Sequence, residues 1–278
     1  MHVHNQGSPW HGYFQHLVNV CHFEVIITTS RNLSLYHIFT TLDNCKKIQY
    51  LKLSTTSFPF YIPHMVLPLL GAHKNLQHIT LDAISTSDYN ICLETFLAPT
   101  QYPALKHIVI DVDFDEPITP INLTIPNIPQ PILGSTSLTL LVADIVPTSL
   151  DFGALLLGLP SLQQLSLGNI QDLPRILPTT AIPLLINYRG PMTFLTTLIA
   201  SRQLKNIETW CGDEDTATRF LKAAYGKMIN KMSYRHHPAE FNQAANDCEV
   251  ICALLHTRTT HIKCVNIMAN PGNAVSKG

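Results

Sequence analysis

Charge is scarce in this chain. Lys, Arg, Asp and Glu together make up 13% of its 278 residues, about half the usual share. The formal net charge is −1, so nothing steers the protein toward nucleic acid or acidic lipid, and neither is expected as a partner. A surface this neutral leans on a partner for solubility. Long apolar runs fit for a membrane are also missing. Pro117 to Ala143 is uncharged, but Pro117, Pro120, Pro126, Pro129 and Pro131 interrupt it, a density no membrane helix tolerates. Phe152 to Gln171 is broken by Pro160. The first twenty residues hold His2, His4, His11 and His16 but no apolar core of a secretory leader.

Paired cysteines are absent as well. The seven cysteines are odd in number and scattered, which points to reduced thiols and a cytoplasmic or nuclear location. The sequons at Asn32 and Asn122 are then chance matches. No Gly-x-Ser-x-Gly elbow, phosphate-binding Gly-x-x-x-x-Gly-Lys loop or Gly-x-Gly-x-x-Gly fingerprint occurs. An enzyme is therefore not expected, nor a nucleotide or other cofactor.

What the chain does have is a recurring aliphatic triplet. Six copies read Ile48-x-x-Leu51-x-Leu53, Leu76-x-x-Ile79-x-Leu81, Leu105-x-x-Ile108-x-Ile110, Leu138-x-x-Leu141-x-Ala143, Leu162-x-x-Leu165-x-Leu167 and Leu204-x-x-Ile207-x-Thr209. Their starts lie 28, 29, 33, 24 and 42 residues apart, and Ile182-x-x-Leu185 falls in the widest gap. Val20-x-x-Phe23-x-Val25 precedes them, while Ile229-x-x-Met232-x-Tyr234 and Ile262-x-x-Val265-x-Ile267 follow. Such a period marks leucine-rich repeats. The fold class expected is α/β: a solenoid of about eight to ten irregular copies, with a curved parallel sheet on the concave side and irregular helices on the convex side.

On this plan residues 1–19 are a flexible N-terminal segment, 20–269 form the solenoid, more helical after 211, and 270–278 are a frayed tail. Helices are expected over Asn32 to Asn44, over Tyr89 to Leu97 with Cys92 and Phe96 inward, and over Phe152 to Gly158. Pro117 to Gly134 reads as an extended loop with polyproline character. A short strand is expected over Ile182 to Tyr188, with Gly190-Pro191 turning sharply after it. Glu214 to Met228 and Ala239 to His256 read as amphipathic helices, with Phe220, Leu221 and Tyr225 on one face of the first.

Strand side chains alternate, so the residues between the triplet positions face the hollow. Lys52, Thr80, Asp82, Val109, Asp111, Asp144, Ser166, Glu208 and Trp210 form the candidate partner-binding row. Asp82, Asp111 and Asp144 share one register, about 5 Å from neighbour to neighbour, and are expected to repel one another. They are read either as solvated strand ends or as an acidic stripe awaiting a basic partner, with His78 and His107 alongside to moderate the charge. Trp210 is either an exposed anchor or a lid over the end of the array.

Two metal candidates emerge. Cys248, Cys252 and His256 climb one helix face, with His261 and Cys264 close behind; thiolates and imidazoles are zinc's preferred ligands. Three successive i,i+4 positions span about 12 Å, so one ion reaches only some of them, and small buried thiols are the plainer reading. Asp111, Asp113, Asp115 and Glu116 lack the glycine and terminal glutamate of a calcium loop. No metal is expected at either place.

The runs Leu-Pro-Ser-Leu-Gln-Gln-Leu-Ser-Leu at 159–167, Tyr-Pro-Ala-Leu-Lys-His-Ile-Val-Ile at 102–110 and Tyr188-Arg189-Gly190-Pro191 resemble the leucine-rich-repeat regions of fungal, mushroom-type F-box-like proteins. The resemblance covers about Val20 to Trp210. It implies a substrate-recognising module of a ubiquitin ligase, in which an F-box docks a Skp-type adaptor and the repeats select the protein partner. Residues 1–19 hold no Leu-Pro-led pattern of an F-box, so adaptor docking is not expected from them. Two alternatives stay open: a truncated family remnant with a structural role only, and a zinc-binding protein using Cys248 to Cys264.

Overall fold

The computed structural model of the protein describes residues 19–27, 42, 45–55, 73–84, 92, 96, 102–112, 137–143, 152–168, 173, 176–210, 214–236 and 265–269. The chain forms two compact units, Met1–Ser161 and Leu162–Gly278. Both are built on one plan, an α/β repeat solenoid in which every strand runs parallel to the one before it.

In the first unit the strands are β1 (His22–Ile27), β2 (Tyr50–Thr55), β3 (His78–Ile84), β4 (His107–Val112) and β5 (Leu140–Ala143), paired in chain order. The triplet is what stacks them. Phe23, Leu51, Ile79, Ile108 and Leu141 oppose one another across the ladder, and Val25, Leu53, Leu81, Ile110 and Ala143 form a second rung where the register is recorded. All ten are buried, and each large aliphatic contributes about 1.5–3 kcal/mol on leaving water. A stack of this kind needs no long-range partner. Each copy covers its neighbour.

Two backbone devices repeat with the triplet. A tight turn leads into each strand: the amides of Ile48, Leu76 and Leu105 donate to the carbonyls of Cys45, His73 and Tyr102 at 3.2, 3.0 and 3.2 Å. The first residue of each turn is buried, so the repeat carries a fourth inward position, three residues before the triplet. Pro103 takes the second turn position, where its fixed φ suits a type I or II turn. The strand then opens with a fork. Gln49 and Tyr50 both donate to Cys21 O, Gln77 and His78 to Gln49 O, Lys106 and His107 to Gln77 O, and Thr139 and Leu140 to Lys106 O. Of the outer helices the structure describes Leu42, Cys92 and Phe96, all helical and buried, and α1 (Phe152–Leu157). Cys92 and Phe96 thus point inward as expected.

The second unit pairs β6 (Gln164–Leu167), β7 (Asn187–Pro191), β8 (Asn206–Trp210), β9 (Lys231–His236) and β10 (Val265–Ala269) in the same parallel way. Its helices are α2 (Met192–Ile199) and α3 (Glu214–Ala224). The reading of Ile182 to Tyr188 as a strand needs correction. Ile182 to Leu185 is the lead-in turn, closed by Leu185 N on Ile182 O at 3.2 Å. The strand runs through Gly190 and Pro191, and α2 follows without a loop. The copy in the wide gap is therefore Leu185-x-x-Tyr188-x-Gly190, three residues later than its apolar spacing suggests. Tyr225 needs correction too. Ala217, Phe220, Leu221 and Ala224 form the buried face of α3, whereas Tyr225 is 84% exposed. The helix ends at Ala224, so Tyr225 lies outside it, and Gly226, at φ +76°, turns the chain away directly afterwards.

Arg202 is 1% exposed yet charged. Its Nη2 donates to the carbonyls of Pro178 and Ala181 at 2.6 Å each, and its Nη1 to Ser201 Oγ. Lys227 Nζ in turn donates to Ala200 O at 3.1 Å and Arg202 O at 3.2 Å. Two successive turns of the second unit are thus each tied by a cation from the next copy, and burial lowers the pKa of both groups. Among the described residues, no helix is long and apolar enough to cross a membrane. The proline-rich stretch 117–134, the expected helix over 239–256 and the segments 1–18 and 270–278 lie outside the described residues.

Candidate functional site

The face of each sheet that points away from the core is the candidate site, because there the pleat sets out the side chains that the core does not use. In the first unit it is laid out in rows. The first row, at the turn side, is His22, Tyr50, His78, His107 and Leu140. His22 stacks on Tyr50 with ring centroids 4.0 Å apart at 10°, Tyr50 meets His78 at 6.0 Å and 37°, and His78 meets His107 edge-on at 4.2 Å and 82°. Parallel neighbours at about 4.8 Å are what bring such rings together.

The second row is Glu24, Lys52, Thr80, Val109 and Val142. Lys52 Nζ lies 3.0 Å from Glu24 Oε1, and this carboxylate holds the ammonium above its ordinary value. Farther along the strands Asp111 stands close enough to Asp82 for its charge to act on that carboxyl. Burial comes first in raising the pKa of Asp82, the charge of Asp111 next, and Lys52 opposes both.

One expectation changes here. His78 and His107 do not moderate the acidic pair. Burial lowers both imidazoles, Lys106 lowers them further, and His78 also lowers His107, so they favour the neutral form near pH 7.

In the second unit Ser166, Arg189, Glu208 and Ser233 share a row, and Pro191 and Trp210 oppose each other in the next. Arg189 joins the two rows: its Nε lies 3.4 Å from Glu208 Oε1, and its guanidinium carbon sits 6.0 Å from the Trp210 ring centroid. Trp210 is half-buried on this face, held by a cation–π contact of about 0.5–1 kcal/mol.

Of the sequence-derived row, Lys52, Thr80 and Val109 come together, as do Asp82 and Asp111, while Ser166, Glu208 and Trp210 belong to the second unit. Asp144 lies outside the described residues, as do Asp113, Asp115, Glu116, Cys248, Cys252, His256, His261 and Cys264. Among the described residues, no three His, Cys, Asp or Glu side chains are placed to hold a metal. Sequence reasoning missed Arg189, because the frame set at Ile182 and Leu185 hid its strand. It also missed the contact of the four rings, although a ring at one register in four successive copies was a visible signal. Compared with known protein families and with curated proteins, the chain matches none.

Proposed function

We propose that the chain is a non-enzymatic protein-recognition module and that the sheet face of the first unit is its docking surface, similar in role to the substrate-selecting repeats of F-box-like proteins. The observation that carries this reading is the pair of ordered rows, His22–Tyr50–His78–His107 and Glu24–Lys52–Thr80–Val109. A sheet with a fully packed core behind it holds these side chains in place before any partner arrives, so little entropy remains to be lost on binding. The mix of rings, one ion pair and small half-buried groups suits a surface with aromatic anchors and a polar rim.

The test is affinity capture with the full chain from its native cells, read by mass spectrometry. Thr80→Arg with Val109→Glu places two long charged groups in the second row, whereas Lys222→Glu on α3 serves as control. The partner should disappear with the double variant and persist with the control; equal recovery with both ends the reading. A Skp-type adaptor among the captured proteins would extend it to a ligase.

A further inference from the structure

The first unit separates its charges along the strands. Lys46 and Lys47 in the turn before β2, Lys74 in the turn before β3 and Lys106 just before β4 are all exposed on the turn-side rim. Lys47 Nζ reaches the neutral amide of Asn19 at 2.8 Å, and among the described residues no carboxylate meets it. Among the described residues of this unit the carboxylates are Glu24, Asp82 and Asp111. None of the three lies on the rim. Glu24 is taken by Lys52 at 3.0 Å, and the two aspartates sit four residues farther along their strands than the ring row. Among the described residues the first unit therefore presents four lysines along one border of its sheet face, with carboxylates only farther in.

We propose that this rim receives an extended acidic segment of a protein partner, laid across strands β2 to β4 with its carboxylates against Lys46, Lys74 and Lys106; the proposal rests on the docking reading above. Spacing supports it. Lys46 and Lys74 hold the same turn position in successive copies, about 4.8 Å apart, and Lys106 stands three residues farther along the next copy; an extended peptide offers a same-side carboxylate about every 6.6–7 Å, within the reach of flexible ammonium groups.

Two observations favour a peptide over a nucleic acid. The His22 and Tyr50 rings already stack on each other, and His78 already packs edge-on against His107. Bases would therefore find few open ring faces, and single-strand binding depends on such faces. The Asp82–Asp111 pair farther along the same strands also repels a polymer of uniform negative charge. A polypeptide can be acidic over the rim and neutral or basic beyond it.

The full-length protein should bind a fluorescent dodecapeptide of alternating Glu and Ser, followed by anisotropy, and should ignore its Gln–Ser counterpart. Affinity should fall about tenfold as salt is raised from about 50 to about 200 mM. Lys46→Glu with Lys74→Glu and Lys106→Glu should reduce it by about tenfold or more at an unchanged unfolding temperature, since all three side chains are exposed. Lys222→Glu should leave it as it was. Absence of binding at low salt, an equal effect of Lys222→Glu, or tighter binding of a twelve-nucleotide oligothymidylate overturns the proposal. Capture of the native partner separates the two readings: loss with Thr80→Arg/Val109→Glu but retention with the triple lysine variant removes only the acidic segment. Retention with both removes the docking surface as well.

Discussion

His78 and His107 show how one register position becomes a shared electrostatic property. Each is a half-buried residue of its own strand, and the ladder sets their ring centroids 4.2 Å apart. Burial and Lys106 then act on both, and His78 on His107. A folded-state pKa below the ordinary 6.5 means that the unfolded chain binds protons more readily. Stability is therefore full above pH 6.5 and is lost as pH falls through the lowered folded-state values. Side-chain NMR titration should find both imidazoles below the ordinary value, and Lys106→Gln should move both upward. The unfolding temperature should drop between pH 7 and pH 5, and less steeply in Lys106→Gln. An imidazole titrating at or above 6.5 would contradict the contact. Asp82 follows the opposite sign: its raised pKa means that its contribution to stability is full at low pH and is lost as pH rises through it.

Among the elements, β7 and α2 are joined with no loop between them, and one residue makes this possible. Tyr188 is buried, and its hydroxyl donates to Pro191 O at 2.9 Å, holding the last strand residue where the helix begins. The ring crosses directly over Gly190. A Cβ at that position would collide with Tyr188 Oη and come within 2.8 Å of Cζ, and the ring cannot retreat, because the core around it is full. Gly190→Ala should cost about 1–3 kcal/mol, the usual range for an overpacked site. Tyr188→Phe should cost about 1–3 kcal/mol by leaving the Pro191 carbonyl without its donor. In urea denaturation the double variant should be less destabilised than the two losses added together, because the hydroxyl that clashes is gone. A wild-type midpoint for Gly190→Ala would show that the crossing is not tight.

At the scale of the whole molecule, legibility tracked how plainly each copy wrote its inward positions. Leu76, Ile79 and Leu81 could be read at once, since alternation in a strand leaves three aliphatics no other common face. The copy at Leu185 could not, because Tyr188 and Gly190 occupy inward positions where aliphatics were expected, and the apolar pair Ile182 and Leu185 belongs to the turn. The ring contacts and the burial of Asp82 were hidden for a different reason: the triplets reveal the register of strands 28 and 29 residues apart, but ring orientation and burial depend on neighbours that no single strand records. The same dependence on neighbours governs stability. With pairing strictly in chain order, removing bulk from one copy weakens that copy and the two beside it first. Ile79→Ala, at a fully buried rung of β3, should cost about 2–5 kcal/mol. Native-state hydrogen exchange should then quicken at the forked amides of Gln77 and His78, and at those of Lys106 and His107 that bond to the same copy. Exchange at Gln49 and Tyr50, which donate to Cys21 O, should quicken less, because the preceding copy supplies their acceptor. Uniform acceleration through β1 to β5 would mean that the first unit opens as one block, and nearest-neighbour stacking would then be the wrong account of its stability.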